Sequence, residues 1–259
     1  MTLPKTLVLD IETFPLESYT WGLFDQNISL DMIKTEWSIA AFAAKWLGKR
    51  PVMYKDTRWQ KDVKNDNALL EDIWHLLNEA DIVVAQNGAS FDIKRINAKL
   101  VIHGFPPYSP IRIVDTLLAA KKHFGFTSNK LAWTSQYLTD TPKSEHKKFP
   151  GFSLWKECLE GNVRAWNEMR KYNIRDVQAT EKLYLKLRPW ISSHPNVGAY
   201  IDEEQHNCPN CGSTHVTKQG TNVTQQGRRQ QYQCQSCSAW SHGKAQIISP
   251  QRRKALLKT

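Results

Sequence analysis

The amino-acid sequence predicts an α/β protein in which a mixed β-sheet is flanked by helices and followed by a second, much smaller domain. Apolar runs that suit strands and amphipathic stretches that suit helices occur in the order βββαβαβα, which is typical of such a sheet. The composition changes after residue 205, where four of the five cysteines are found. A length of 259 residues accommodates one domain with a full core and a small appendage.

The first three strands are predicted to form an antiparallel meander. They cover residues 5–10, 38–48 and 51–56, with a turn near Gly48 and Pro51 between the second and the third. Strands that follow one another with short connections favour antiparallel pairing. The meander therefore forms one half of the predicted sheet.

Helices and strands alternate in the rest of the main domain. We predict helices at residues 67–80, 90–104, 117–124 and 162–187, and strands at residues 81–87 and 111–116. Asn65 and Asp66 stand where the first helix needs a cap, and Ser90 where the second does. The longest helix ends before Pro189, which cannot continue it.

Residues 189–200 contain two prolines, two serines and a glycine, a composition typical of the exit from a domain. We therefore predict a main domain at residues 1–190, a linker at 191–205, a small β-hairpin domain at 206–245 and a basic tail at 246–259. The segment from residue 206 onward contains no Asp or Glu. Its basic residues are Lys218, Arg228, Arg229, Lys244, Arg252, Arg253, Lys254 and Lys258.

The charge of the whole chain is +10, from 35 Lys and Arg against 25 Asp and Glu. A strongly basic balance indicates a polyanionic partner. No apolar run approaches the length of a membrane span, and the first residues lack the features of a secretion signal. The sequence thus predicts a cytoplasmic protein without membrane contact.

Four carboxylates and one phenol are predicted to meet at one end of the sheet. Asp10 and Glu12 are two residues apart in the first strand and share a face. Asp92 opens a helix after a buried strand, and Tyr172 and Asp176 lie one turn apart on the long helix. Like charges this close repel, and a cation between them removes that cost. Taken singly, each residue also has an ordinary structural explanation, as a solvated strand end, a helix cap or a surface side chain.

The segments "LVLDIET", "NGASFD" and "YNIRDVQAT" are similar to the three motifs of the DEDD superfamily, the DnaQ-like 3′→5′ exonucleases of ribonuclease H-like fold. The resemblance covers residues 5 to about 195. One branch of that superfamily has His five residues before the last Asp, and the other has Tyr four residues before it. Lys171 occupies the His position and Tyr172 the Tyr position, so the chain resembles the tyrosine branch.

This resemblance implies phosphodiester hydrolysis with two Mg²⁺ or Mn²⁺ ions, which take carboxylate oxygens. It implies that Asp10 bridges both ions, that Glu12 and Asp176 hold the ion on the nucleophile side, and that Asp92 serves the leaving-group side through water. Tyr172 would orient the attacking water. Its ordinary pKa of about 10 argues for positioning rather than deprotonation.

Further residues near the motifs each have two candidate roles. Asn87 and Phe91 flank the second motif and are expected to touch substrate, although Phe91 also suits the core. Asp115 could line the site, but its place before a helical segment favours an N-cap. Cys158 is predicted to be a small buried hydrophobe rather than a catalytic thiol.

Cys208, Cys211, Cys234 and Cys237 form two C-x2-C pairs separated by 22 residues, a pattern that predicts one structural Zn²⁺. The gap has room for a hairpin in which residues 215–223 pair with residues 228–234 around Gly227. This segment resembles the zinc ribbons appended to transposases and other nucleic-acid enzymes. Disulfides are the alternative, but they suit an oxidising compartment that no secretion signal supports.

A ribbon of about 40 residues has too little core to fold unaided, so the metal would supply its folding energy. Arg228, Arg229, Tyr232 and Trp240 are expected to offer phosphate contacts and stacking surfaces to nucleic acid. The alternative is a ribbon that binds a protein partner or only increases solubility.

Together these features predict a metal-dependent 3′→5′ exonuclease that binds nucleic acid with a free 3′ end. DNA is favoured over RNA only by association with the transposase-like ribbon. Two alternatives stay open: an endonuclease or transposase-like strand transferase of the same fold, and a nucleic-acid-binding adaptor without catalysis.

Overall fold

The structure, a computed structural model, describes residues 3–143, 145–202, 204–225 and 227–257. The chain divides into two units. The first is Lys5–Tyr184, and the second consists of the described residues of Leu185–Thr259 and Met1–Pro4. Lys258 of the predicted basic tail lies outside the described residues.

The strands up to residue 115 are β1 (Thr6–Phe14), β2 (Glu17–Ser18), β3 (Ile33–Thr35), β4 (Ser38–Trp46), β5 (Met53–Asp56), β6 (Ile82–Ala85) and β7 (Arg112–Asp115). The helices up to residue 187 are α1 (Asn67–Glu79), α2 (Asp92–Ile102), α3 (Thr116–His123), α4 (Leu131–Leu138), α5 (Ser153–Leu159) and α6 (Val163–Leu187). A 3-10 turn covers Leu30–Met32.

Five of these strands form a mixed sheet in the order β5-β4-β1-β6-β7. β4 pairs antiparallel with β1 and β5, whereas β6 pairs parallel with β1 and β7. The predicted meander and the predicted mixed α/β class are therefore confirmed. The small β2–β3 pair is separate from this sheet and was not predicted.

β1 extends four residues beyond its predicted end at Asp10. It pairs with β6 only over Thr6–Val8, but with β4 as far as Phe14. The second half of β1 therefore has a partner strand on one side, and Asp10 and Glu12 lie within this half rather than beyond the end of the strand.

Apolar side chains cover both faces of the sheet. α1 and α2 supply Leu70, Ile73 and Ile96 to a cluster that includes Leu7 and Leu9 of β1. A second cluster joins Phe14 to residues of α5 and α6, and the rings of Phe14 and Trp166 pack edge to face at 5.8 Å. Cys158 is fully buried in the second cluster and its burial raises its pKa to about 12, so its predicted structural role is confirmed.

The predicted helix caps were partly wrong. α2 begins at Asp92 with Phe91 in the cap position, so Ser90 does not cap it. Asp66 holds the cap position of α1, but its carboxylate accepts a hydrogen bond from the backbone of Ile39 at 2.9 Å instead. Asp115 caps α3 as predicted, because its carboxylate accepts hydrogen bonds from the first backbone N–H groups of that helix.

The second unit contains β8 (Val216–Thr224), β9 (Gly227–Cys234), β10 (Trp240–Gln246) and α7 (Pro250–Lys254). The strands form an antiparallel sheet in the order β10-β9-β8. The predicted hairpin is confirmed, whereas β10 and α7 were not predicted. A third strand gives the hairpin a second set of backbone hydrogen bonds.

The described residues of the predicted linker, 191–202 and 204–205, fall within this second unit. The backbone N–H of Val197 donates to the carbonyl of Pro209 at 2.7 Å, and Val197 and Ile201 are buried. A 3-10 turn covers Val197–Tyr200. Within the described residues, no helix is both long and apolar enough to cross a membrane.

Candidate active site

Three carboxylates meet beside the open half of β1. Oxygen atoms of Asp10, Glu12 and Asp176 all lie within 4.8 Å of one another. Asp10 and Glu12 share a face because alternate residues of a strand point the same way, and α6 brings Asp176 to that face. The structure thus unites residues that are more than 160 positions apart in the sequence, as predicted.

Asp92 lies next to this group but outside its 4.8 Å limit. Its carboxylate accepts a hydrogen bond from the backbone N–H of Ile11 at 3.0 Å, and it is 2% exposed. Because Ile11 lies between Asp10 and Glu12, this hydrogen bond holds the Asp92 carboxylate beside these two residues.

The loop before Asp92 is held in place by Asp115. One carboxylate oxygen of Asp115 accepts from the backbone N–H of Asn87 at 3.0 Å, and the other accepts from Ala89 at 3.1 Å. Gly88 lies between them, and a Cβ there would come within 2.3 Å of the Cβ of Ala85. Asp115 therefore positions the loop that leads to Asp92, in addition to capping α3.

Lys143 contributes a cation to the site. Its ammonium group contacts the carboxylate of Asp176 and lies 4.4 Å from the ring centroid of Tyr172. It comes from the irregular segment between α4 and α5. Sequence reasoning missed this residue, since a lysine in such a segment has no distinguishing pattern.

Asn173 orients Asp10. Its side-chain amide donates to the Asp10 carboxylate at 2.6 Å and to the Asp10 backbone carbonyl at 3.2 Å, and Asn173 is fully buried. Sequence reasoning missed it as well. A signal was available, because Asn173 precedes Asp176 by three residues and so lies on the same helix face.

Tyr172 packs against two aromatic rings. His146 lies edge to face at 5.0 Å and Trp155 at 6.2 Å, and Trp155 also forms a hydrogen bond with Glu12. His146 is held in turn by a 2.6 Å contact between its Nδ1 and the carbonyl of Phe149. Burial, followed by the charges of Asp176 and Glu12, raises the pKa of Tyr172 to about 12. The phenol therefore stays protonated near neutral pH and suits the orientation of a water molecule.

The carboxylates resist ionisation in this setting. Burial, together with neighbouring carboxylates, raises the pKa of Glu12 to about 8 and raises that of Asp10 well above its usual range. Burial raises the pKa of Asp92 to about 7. Burial also raises the pKa of Asp176, which Lys143 partly opposes. Lys143 lowers the pKa values of Asp10, Glu12 and Asp176, but they stay above their usual range.

The donor set fits a hard divalent cation. Among the described residues, Asp176 Oδ1 and Asn173 Oδ1 are buried polar atoms without a hydrogen-bond partner. Buried polar atoms are normally satisfied, so such orphans at one site point to a missing partner. Carboxylate and amide oxygens are ligands that Mg²⁺ and Mn²⁺ accept.

The two residues predicted to touch substrate near Asp92 also have structural roles. Asn87 adopts a left-handed backbone with a φ of 64°, which asparagine tolerates better than most residues. Phe91 packs against the cluster formed by α1 and α2, and the Arg95 guanidinium lies 5.0 Å from its ring centroid. The predicted core contact of Phe91 is thus present.

The four cysteines of the second unit form a separate cluster. Their sulfur atoms all lie within 4.8 Å of one another, with 3.6 Å between Cys208 and Cys237 and 3.7 Å between Cys211 and Cys234. Four sulfurs around a tetrahedral Zn²⁺ lie about 3.8 Å apart, given Zn–S bonds of about 2.3 Å. The cluster therefore fits a zinc ribbon.

The strand register of the ribbon separates the four residues expected to bind nucleic acid. Tyr232 and Arg228 are four residues apart on β9 and share one face. Trp240 pairs with Gln233, so it lies on the opposite face together with Arg229.

The hydroxyl group of Tyr232 lies 3.1 Å from Nε2 of His206. Both residues line a cavity of about 470 Å³, which Lys244 also lines.

A model of the RNase_H superfamily matches residues 34–188. This range contains Asp92, Tyr172 and Asp176 and begins after Asp10 and Glu12. The family B DNA polymerase from the hyperthermophilic archaeon Pyrobaculum calidifontis has a solved structure with 12% identity and a TM-score of 0.48 to this chain. That match covers 73% of this chain and 26% of the polymerase, so the chain spans about a quarter of the polymerase's length. No curated protein sequence matches the chain significantly.

The raised pKa values predict how stability depends on pH without a divalent ion. They exceed the unfolded values of about 4, so the protonated carboxylates favour folding at low pH. This contribution is lost as the pH rises through the pKa values of Asp92 and Glu12, about 7 and about 8. Thermal unfolding should therefore show that Mg²⁺ raises the melting temperature more at about pH 8.5 than at about pH 5.5.

Glu12→Gln is the matched variant, since it removes one of the titrating groups and keeps the shape. Its melting temperature should fall less than that of the wild type between these pH values. An identical pH dependence of the two proteins would contradict the assignment of a crowded carboxylate cluster.

Proposed function

This chain belongs to the RNase_H superfamily, and on that premise we propose that it is a metal-dependent 3′→5′ exonuclease that resembles the tyrosine branch of the DEDD superfamily. The observation that carries the proposal is the cluster of Asp10, Glu12 and Asp176 with Tyr172 one helical turn before Asp176. Hydrolysis of a phosphodiester needs an activated water and charge relief at the leaving oxygen. This group of side chains suits both requirements.

Asp10, Glu12 and Asp176 would hold divalent ions, with Asp92 beside them. Two Mg²⁺ or Mn²⁺ ions, when bound, supply an activated water and neutralise charge that develops on the phosphoryl oxygens. Asn173 keeps the Asp10 carboxylate in one orientation through its 2.6 Å hydrogen bond. The hydrogen bond from Ile11 does the same for Asp92. The oxygens are thus fixed before substrate arrives, which lowers the cost of reorganisation.

Tyr172 would orient the attacking water through its hydroxyl group. The two aromatic rings of His146 and Trp155 fix the plane of the phenol, and its raised pKa keeps the proton in place. The proton of the attacking water would then pass to the solvent, since the phenol keeps its own proton. Tyr172 acts in this scheme as a hydrogen-bonding guide and not as the base.

Lys143 would neutralise part of the cluster between turnovers. Its contact with Asp176 and its place over the Tyr172 ring put its charge beside the same carboxylate that would bind a metal ion. An ammonium group on a flexible stem moves readily. Lys143 would therefore be free to contact a substrate phosphate once Asp176 has a metal ion as its partner.

The ribbon would hold one structural Zn²⁺ and help to bind nucleic acid. Its small core consists of Cys208, Cys234 and Ala239, with Cys211, Val216 and Cys237 packed against it, so four of these six residues are the cysteines that would bind the metal. Metal binding would therefore supply most of its folding energy. Its basic residues, without any acidic one from residue 206 onward, suit a phosphate backbone.

Asp10→Ala should abolish cleavage and leave the fold intact, because it removes a ligand that both ions would share. Oligonucleotides of DNA and of RNA, labelled at the 5′ end, should be shortened stepwise by the wild type in Mg²⁺ or Mn²⁺. Loss of several kcal/mol of transition-state stabilisation would slow the variant by at least about a thousandfold.

Glu79→Ala, a change at a surface carboxylate at the end of α1, is the control and should leave the rate unchanged. Internal cuts by the wild type would indicate an endonuclease instead, and binding without cleavage would indicate an adaptor. Trimming by Asp10→Ala at the wild-type rate would show that the carboxylate site is wrongly assigned.

Tyr172→Phe should reduce the single-turnover rate by roughly 10²- to 10⁴-fold, since it removes the hydroxyl group and keeps the ring packing. The dissociation constant for an oligonucleotide should stay within about twofold. A weaker affinity with an unchanged single-turnover rate would place Tyr172 in substrate binding.

The ribbon should contribute to affinity through charge. Lys218 pairs with Tyr232 across the sheet, and Arg228 lies on the same face. Replacing both by Gln should flatten the slope of log K against log salt by about 0.7 for each phosphate of a single strand that is no longer neutralised. Binding titrations over a range of salt concentrations measure this slope.

The matched control replaces Lys156 and Lys182, two exposed lysines of the first unit, by Gln. The zinc content of each protein should stay at one ion per chain. If the salt slope is the same for both double variants and for the wild type, the face that carries Lys218 and Arg228 does not bind nucleic acid.

A further inference from the structure

An arm of exposed apolar side chains lies between β1 and β4. We define the arm as residues 16–32. Trp21, Leu23 and Phe24 at its tip are 97%, 92% and 82% exposed. Tyr19 and Leu30 are also largely exposed. Large apolar side chains gathered on one exposed segment usually mark an interaction surface.

The root of the arm is fixed to the main domain. Glu17 and Ser18 pair with residues of β3, and the backbone N–H of Tyr19 donates to the carbonyl of Met32 at 2.9 Å. Lys64 forms an ion pair with Glu17 at 2.8 Å. The exposed tip is therefore presented from a fixed base.

A cavity lies at the root of the arm, between the end of β1 and the start of α2. We call it the root cavity. It has a volume of about 410 Å³, within the range of about 300 to 1,000 Å³ that is usual for ligand sites. Its lining residues are Thr13, Phe14, Pro15, Leu16, Trp37, Ser90, Lys94, Arg95 and Ala98.

The root cavity adjoins both segments that carry the carboxylates. Thr13 directly follows Glu12, and Ser90 precedes Asp92 by two residues. Leu16 belongs to the arm itself. A ligand in the cavity would thus contact the segment that leads from Glu12 into the arm.

The charge of the root cavity is positive. Lys94 and Arg95 line it, and none of its described lining residues is acidic. The guanidinium of Arg95 is held 4.4 Å from the ring centroid of Trp37 and 5.0 Å from that of Phe91. Such stacking restricts the guanidinium while its N–H groups stay able to bind an anion.

We propose that the root cavity and the arm form a clamp for unpaired nucleic acid, in which Lys94 and Arg95 hold phosphates and Trp21 and Phe24 stack on bases. The proposal rests on the proposed exonuclease function, which places a nucleic-acid strand at the neighbouring carboxylates. Cations beside exposed aromatic rings are the combination that binds single strands regardless of sequence.

The chemistry of the arm favours bases over other occupants. Between Tyr19 and Leu30 its only charged side chain is Asp25, so this part of the arm offers ring faces and apolar edges rather than ion pairs. Bases within a duplex hide their faces by stacking on one another. An aromatic tip therefore gains most from a strand whose bases are unpaired.

The double variant Trp21→Ala and Phe24→Ala tests the clamp. Both side chains are almost fully exposed, so the melting temperature should not change. Binding is measured in the Asp10→Ala background to fluorescent single strands of two and of twelve nucleotides. Loss of one base stack should weaken binding of the longer strand by about fivefold to 150-fold, and affinity for the dinucleotide should hardly change.

Trp59→Ala is the matched control, because Trp59 is 84% exposed and does not line the root cavity. Lys94→Gln complements it, and should flatten the salt slope for the longer strand by about 0.7. A double variant that binds the twelve-nucleotide strand as tightly as Trp59→Ala does would overturn the clamp and leave a protein partner as the occupant of the arm.

Cleavage by the wild type is measured separately, so that a failure of the clamp proposal can be distinguished from a failure of the exonuclease proposal. If the wild type trims strands and the arm variants bind normally, only the clamp is wrong. If the wild type binds strands through the arm and cleaves none, the clamp stands and the exonuclease proposal fails.

Discussion

The crowding of carboxylates beside β1 is the constraint on which the rest of the site depends. Asp10, Glu12 and Asp176 bring their oxygens within 4.8 Å of one another in a partly buried setting, where mutual repulsion is less screened than in water. Burial raises the pKa values of all three groups, and repulsion between carboxylates adds to the shifts of Asp10 and Glu12. Lys143, the amide of Asn173 and the Ile11 backbone each reduce it without removing it. A divalent cation at these oxygens would provide the remaining compensation.

The sheet creates the place where this crowding is possible. β1 lies between an antiparallel and a parallel neighbour, and its pairing with β6 stops at Val8. Along the open edge of this half, the Ile11 backbone N–H donates to Asp92 at the start of α2, while α6 brings Asp176 to the face that carries Asp10 and Glu12. Asp115 ties this arrangement to β7, because its carboxylate holds the loop before Asp92. The arm follows the end of β1, so the carboxylates of this strand and the proposed contact with the bases lie close together in the sequence.

The sequence predicted most of the residues of the candidate site, but few of the contacts that those residues make. Alternation in a strand put Asp10 and Glu12 on one face, and the helical repeat did the same for Tyr172 and Asp176. The resemblance to the DEDD motifs implied that the two pairs belong to one site. Lys143 could not be assigned, since it reaches Asp176 from an irregular segment 33 residues away whose path no local pattern determines. Ser90 was expected to cap α2 from its residue type alone, whereas the tertiary contacts of the loop place the helix start at Asp92.

The same distinction holds in the ribbon. The spacing of the cysteines predicted a hairpin and a four-sulfur cluster, and both are present. β10 was missed because its sequence, Trp240–Gln246, contains Ser, His, Gly and Lys and lacks the alternation of a half-buried strand. The face on which each side chain of the ribbon lies depends on how the strands are paired. In polar strands the hydrophobic pattern determines this pairing only weakly, so the sequence did not predict it.

A crystal structure with Mn²⁺ and a short oligonucleotide would test the central claim most directly, because anomalous scattering locates the ions. We expect two Mn²⁺ ions coordinated by Asp10, with Glu12 and Asp176 on one of them, and Lys143 released from Asp176. Crystals in which Mn²⁺ is absent from these carboxylates, with Lys143 still paired to Asp176, would contradict the two-metal site.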